Sequence, residues 1–160
     1  MTKVQVIAVG RPRGPIAEAI SDYEQRARRY FTYAAAEVRE EPLRATGDIP
    51  RVMGEEAERL LARVARGAQI VALHRGGDMW SSGRFARYLS DPTFHAGTGV
   101  AFVIGGAFGL SEALLDRANH WLSLSACTLP HDMARLVLVE QVYRAGTINR
   151  GEPYHKGTVE

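Results

Sequence analysis

Two hydrophobic periodicities alternate along the chain. KVQVIAVG (3–10) alternates and is rich in β-branched residues, which predicts a strand. PIAEAISDYEQRARRY (15–30) carries Ile16, Ala19, Ile20, Tyr23 and Ala27 at helical spacing, with Pro15 suited to a first turn. YAAAEVRE (33–40) predicts a second strand. IPRVMGEEAERLLARVARG (49–67) predicts an amphipathic helix, with Val52, Leu60, Leu61 and Val64 on one side and Gly67 as its stop. QIVALHRGG (69–77) reads as a buried strand ending in a glycine pair. SSGRFARYLSD (81–91) predicts a short helix capped by Ser81 or Ser82.

The second half continues the alternation. GVAFVIGG (99–106) is the most apolar strand, and LSEALLDRA (110–118) is a helix with Ser111 at its N-cap. HWLSLSACTLPH (120–131) reads as a short strand and a loop. DMARLVLVEQVYRAGTI (132–148) is a long helix that Asp132 is placed to cap. GEPYHKGTVE (151–160) carries loop chemistry. Strands alternating with helices predict an α/β fold, with a mostly parallel sheet sandwiched by helices in one domain over 1–160. Ligands in such folds sit beyond the carboxyl ends of the strands. Three loops leave such ends: HRGGDMWSSG, GGAFGLS and SACTLPHD.

Composition narrows the class. At 160 residues the chain is long enough to bury roughly two-thirds of its unfolded surface. Its one cysteine, Cys127, excludes an intramolecular disulfide and a multi-cysteine zinc site. The start MTKVQVIAVG is too short and interrupted for a signal segment, and no apolar run approaches a membrane span. These features lead us to expect a cytoplasmic protein without a membrane partner. A net charge of +2 does not by itself indicate nucleic acid. Only Lys3 and Lys156 are lysines among the 20 basic residues. Arginine suits phosphate contacts and base stacking, although a GC-rich genome gives the same bias. The clusters GRPRG (10–14) and RRY (28–30) hint at a surface facing a polyanion.

The glycine loop IGGAFG (104–109) fails two familiar patterns. A dinucleotide fingerprint needs G-x-G-x-x-G and an acid about 20 residues on. Gly105, Gly106 and Gly109 give G-G-x-x-G, and no acid stands in the following SACTLPH. A phosphate loop needs a lysine after its last glycine, where this chain has Leu110 and Ser111. A loop without cationic side chains suits a ligand other than a polyphosphate, such as an adenine edge or a ribose read by backbone groups. A tight strand-to-helix crossing would use the same glycines. His74, His95, His120, His131 and His155 show no metal-ligand spacing, and Ser125 and Cys127 flank no nucleophile elbow. Cys127 has only His131 as a local base, so a packed small side chain is its commoner role.

Four segments then occur in order: VIGGAFGL, WLSLSACTLPH, ARLVLVEQVYRAGTI and EPYHK. With VIAVG at the start and VALHRGGDMWSS in the middle, the whole chain resembles the bacterial 23S ribosomal RNA pseudouridine N3-methyltransferase family, of the SPOUT class of knotted RNA methyltransferases. The resemblance implies a trefoil knot over about residues 100–155 and S-adenosylmethionine bent among the knot loops. It implies no metal and no DNA partner. Carried over by position, the cofactor contacts fall on Leu73, Gly105, Leu124, Ser125, Ala126, Cys127, Thr128 and Leu129. One departure stands out. The family's loop usually reads G-G-P-E-G, whereas Ala107 and Phe108 occupy the middle here, so no role of that acid carries over.

The resemblance further implies a homodimer with the long C-terminal helix in its interface. Met133, Leu136, Val137, Leu138, Val139, Val142, Tyr143 and Ile148 make that helix apolar on more than one side, as a doubly covered helix requires. The implied reaction is in-line methyl transfer to a ring nitrogen, with positioning as the main source of rate. The acceptor N3–H must lose its proton, assisted by a base or by a cation near the ring. Arg144, Tyr154 and His155 are the candidates, with Lys156 beside them, and Tyr154 could stack on an extruded base. So low a net charge fits a substrate presented by the assembled ribosome, with naked RNA and the large subunit as the alternatives. The rivals are a nucleotide-binding enzyme of another class and a non-catalytic ribosome-associated factor.

Overall fold

The computed structural model describes residues 1–156. The last four residues of the loop expected over 151–160 lie outside that range. Five strands and five α-helices run in the order β1 (Lys3–Val9), α1 (Gly14–Ala27), β2 (Thr32–Val38), α2 (Ile49–Arg63), β3 (Gln69–Met79), α3 (Ser82–Ser90), β4 (Val100–Ile104), α4 (Glu112–Arg117), β5 (His120–Ser123) and α5 (His131–Asn149). The strands form one sheet in the order β2-β1-β4-β3-β5, and every pairing is parallel.

Alternation along the strands sorts the core into two layers. Val4, Val6 and Ala8 of β1 join Val100, Phe102 and Ile104 of β4 on one face, under Ala27 of α1, Phe85 and Leu89 of α3, and Leu138 and Val142 of α5. Ile7, Val9, Ala101 and Val103 face the other way, under Ala57 and Leu60 of α2 and Leu114 of α4. Strand β4 is therefore buried on both faces along its whole length, which is why VAFVI contains no polar residue.

The structure corrects several sequence expectations. Helix α1 stops at Ala27, and Arg28–Tyr30 turn towards β2. Helix α2 ends at Arg63, so Gly67 shapes the next turn at positive φ and does not stop the helix. Ser81, not Ser82, caps α3 by accepting the Arg84 N–H at 3.1 Å. Ser111 caps α4 as expected. Asp132 does not cap α5: Pro130 holds that position, and the aspartate sits in the first turn, 3.2 Å from His131. There it still complements the positive end of the helix. The two basic clusters lie at opposite ends of the neighbouring strands β1 and β2. Gly10–Gly14 follows the carboxyl end of β1, and Arg28–Tyr30 precedes the amino end of the parallel β2.

Helix α5 is covered by α1 and α3. It carries a buried arginine that hydrophobic patterning did not single out. Arg135 bonds to Glu37 at 2.9 Å and to Glu24 at 3.3 Å, tying α5 to β2 and α1. Close contact with the turn that follows α1 depends on Gly146, where a Cβ would lie 2.4 Å from Cγ of Tyr30. On an exposed helix Gly→Ala gains about 1 kcal/mol. Here overpacking at roughly 1–3 kcal/mol should win. Gly146→Ala is expected to lower stability in denaturant unfolding by up to about 2 kcal/mol, and a gain would show that the interface yields without cost.

Candidate active site

The carboxyl ends of β4, β3 and β5, three neighbours in the sheet, open onto a cavity of about 470 Å³. That volume is in the usual range for small-molecule sites. One wall is the turn after β4, Gly105 to Leu110. A second is Leu73, His74 and Arg75 of β3, where the ladder slips so that both Leu73 and Asp78 pair with Leu122. A third is the segment after β5, Ser123 to Leu129, which reaches the first turn of α5 at His131 and Ala134.

Local chemistry gives these walls their shape. Gly109 N–H donates to the carbonyl of Gly106 at 3.1 Å, which closes the glycine turn on itself. A Cβ on Gly105 would lie 2.7 Å from the carbonyl carbon of Gly109, so no other residue fits without moving backbone. Ser123 Oγ donates to the carbonyl of Ser125 at 2.9 Å, and Ser125 Oγ accepts from Cys127 N–H at 2.9 Å, curling the third wall. Among the described residues, no acidic side chain lines the cavity and Arg75 is its one arginine. The lining offers backbone groups, hydroxyls of Ser123, Ser125 and Thr128, and apolar faces of Leu73, Ile104 and Leu129. Such a set can read a polar heterocycle and its sugar edge-on, and a single arginine is too little positive charge for a polyphosphate.

Seven of the eight positions expected to touch the cofactor line this cavity: Leu73, Gly105, Leu124, Ser125, Cys127, Thr128 and Leu129. Ala126 is exposed and is not among its lining residues. His74, Arg75, Phe108 and His131 line it as well, on the three expected loops although not among the expected contacts, and Met53 of α2 was not foreseen. Met53 sits next to the apolar run of α2, and Phe108, half-exposed, belongs to the loop that departs from the family pattern.

Arg144, Tyr154 and His155 stand elsewhere. An α-helix rises about 1.5 Å per residue, so Arg144 lies roughly 15 Å along α5 from Ala134. The tail turns back as a short 3₁₀ helix, Pro153–His155, and packs beside α5. The Tyr154 ring meets Tyr143 edge-on with centroids 4.6 Å apart, under the Arg144 guanidinium at 5.0 Å. Its hydroxyl donates to Glu140 at 3.1 Å and lies 3.3 Å from that of Tyr23. Burial first, and then the bond with Tyr23, pushes the phenol well above its ordinary pKa. Tyr154 is thus a hydrogen-bond donor at neutral pH, not a base. Glu140 holds Arg144 firmly charged. His155 is half-buried, and its Nδ1 has no hydrogen-bond partner among the described residues.

A family model described as predicted SPOUT methyltransferase matches residues 2–155. The chain belongs to the SPOUT methyltransferase family. Its curated relatives in that family include ribosomal RNA large subunit methyltransferase H of Gemmatimonas aurantiaca, 51% identical over 156 residues, with 96% of this chain and 99% of the relative covered. The protein of the same name from an Anaeromyxobacter species is 48% identical over 155 residues, with 96% and 99% covered. The one from Listeria monocytogenes is 40% identical over 157 residues at the same coverage. Among solved structures, a probable methyltransferase of Bordetella pertussis Tohama I shares the SPOUT-family chain's fold, with TM-score 0.51, 18% identity and 91% and 95% of the two chains covered. Among the described residues no helix is long and apolar enough to cross a membrane.

An ion-pair cluster steadies the neighbouring β2–α2 loop. Arg59 bonds to Glu41 at 2.8 Å, while Arg51 bonds to Glu41 at 3.2 Å and, through Nε, to Asp48 at 2.8 Å. The Arg59 bond, seconded by Arg51, holds Glu41 below the usual carboxylate range, and Arg51 does the same for Asp48. Groups with depressed folded-state pKa contribute stability above the unfolded carboxylate range and lose it as pH falls through their folded values. Arg51→Met should therefore lower Tm near neutrality, and its Tm should converge with wild type as pH drops from about 7 to about 3. Parallel curves over that range would contradict the assignment.

Proposed function

We propose that this chain transfers the methyl group of S-adenosylmethionine to N3 of a pseudouridine in 23S ribosomal RNA. It does so in the cytoplasm on the assembled ribosome, and it works as a homodimer. The observation that carries the reading is the cavity at the carboxyl edge, walled by the three loops to which the resemblance assigns the methyl donor. Curated relatives at 40–51% identity, named for methylation of large-subunit ribosomal RNA, support the substrate. The same reading assigns a trefoil knot to residues 100–155 and cofactor contact to Ala126 beside the seven lining positions.

The chemistry needs little from the protein beyond placement. The sulfonium donor is already activated, and holding it in line with the acceptor nitrogen supplies most of the acceleration. The glycine turn presents backbone to the adenosyl group at a distance that side chains would prevent. The remaining task is the N3 proton. Tyr154 acts as a donor or a stacking surface, Arg144 as the cation that stabilises the anionic ring, and His155 as the acceptor of the proton. None of the three is among the residues lining the cavity of their own chain. A dimer formed across α5 brings the tail of one protomer to the cavity of the other. Met133, exposed on the first turn of α5, and the half-buried Leu136 and Val137 supply apolar surface for that contact.

Two variants and a mixture of them test the reading. Gly105→Val should abolish S-adenosylmethionine binding in calorimetry with the circular dichroism unchanged, and undiminished binding would reject the site. Truncation after Gly151 should keep donor binding and lower methyl transfer to ribosomes by roughly 10²-fold or more. A wild-type rate would remove Tyr154 and His155 from the chemistry. Co-refolding the Gly105→Val chain with the truncated chain should restore activity that neither has alone, because mixed dimers contain one complete site. No recovery would place the tail's action within its own chain.

A further inference from the structure

The methyl-donor reading leaves one buried carboxyl beside the cavity unused. Glu56, on α2, is 4% exposed. Its Oε2 accepts the backbone N–H of Glu41 at 3.1 Å. Its Oε1 is buried and has no hydrogen-bond partner among the described residues. A buried acceptor without a donor is costly, so its presence calls for a reason. The geometry around it supplies one. A Cβ on Gly106 would lie 2.9 Å from Oε1, 3.2 Å from Oε2 and 3.1 Å from Cγ1 of Val9. The carboxyl therefore lies against the Cα of a residue that lines the cavity.

Glu56 has little freedom to yield. Arg51 and Arg59 hold the Glu41 side chain, the Glu41 backbone N–H holds Glu56 at one oxygen, and burial denies the other oxygen a route to solvent. Contact then passes from the β2–α2 loop through Glu56 to the glycine turn. Burial also pushes the Glu56 carboxyl above its ordinary range, against the bond from Glu41 N–H. An acid that served only as a solvated helix residue would show neither feature.

We propose that Glu56 is a positioning residue for the methyl donor: its carboxyl is the fixed support that sets where the glycine turn stands against the ligand. This rests on the reading of the cavity as the S-adenosylmethionine site. Glu56 is not among the residues lining the cavity and acts through Gly106. Removing the carboxyl leaves a void under the turn, and adding a methyl group at Gly106 pushes the turn towards the ligand. The two defects are opposite in sense and share one location, so each relieves the other.

The test is a double-mutant cycle on the full chain. S-adenosylmethionine is titrated by calorimetry into wild type, Glu56→Ala, Gly106→Ala, the double variant and Glu56→Gln. KM and kcat are measured on ribosomes, and circular dichroism checks the fold. Each alanine variant should raise Kd about tenfold, with the double variant within about threefold of the better single one. Glu56→Gln, which keeps shape and one acceptor, should recover most of what Glu56→Ala loses. The KM for the donor should rise while kcat at saturation holds. If Glu56→Ala does not fold, Glu56→Asp takes its place in the cycle. Independent, multiplying effects of the two substitutions overturn the proposal, as does wild-type affinity in Glu56→Ala. A wild-type chain that takes up no S-adenosylmethionine overturns the donor reading and this inference with it. Normal wild-type binding with an unaffected Glu56→Ala overturns this inference alone.

Discussion

The absence of a Cβ at the exit from β4 is the constraint on which the site depends. Strand β4 is the doubly buried centre of the sheet, and its chain must turn immediately into the loop before α4. The turn closes tightly enough that a side chain at Gly105 would overlap the backbone of Gly109. That closeness does two things at once. It completes the crossover from sheet to helix, and it leaves a wall of backbone groups facing the cavity. The glycines therefore have a structural role, and under the proposed reading the same geometry also serves the ligand.

The order of the elements and the sandwich could be read along the chain because each strand and helix carries its own periodicity. VAFVI announces a strand covered on both faces, and the reversal between Val6 and Ile7 in the core layers follows directly from the two-residue repeat. Boundaries were less legible. Arg28–Tyr30 continue a helical pattern in sequence, yet Phe31 must reach the core beside β2, so tertiary packing ends α1 earlier. Asp132 has the right chemistry for a cap, but Pro130 already supplies the extended turn one step before the helix. Glu56 and Arg135 were invisible for a shared reason. Charged residues in an amphipathic helix read as solvent-facing, and only the fold shows that their partners lie on other elements.

The candidate site divides the same way. Positions on the three strand-end loops come together because parallel strands deliver all their exits to one edge, a consequence of topology that motif order anticipates. The tail residues obey a different logic. Tyr154 is held by Tyr143, Tyr23 and Glu140 along α5, and nothing in the local spacing of PYHK tells how far that platform lies from the strand exits. Under the proposed reading, donor binding and proton handling occupy two structural units, a sheet edge and a helix-borne tail, and a dimer across α5 would join them.

The most direct measurement is methyl transfer itself, followed by mass. Ribosomes from cells lacking this activity, incubated with the protein and S-adenosylmethionine bearing a deuterated methyl group, are digested to nucleosides and oligonucleotides and weighed. The account predicts one deuterated methyl group per large subunit, on N3 of a pseudouridine of the 23S RNA, with much less on the same RNA stripped of protein. Label on another base or on another atom of the ring, or no label from a chain that binds the donor, would contradict it.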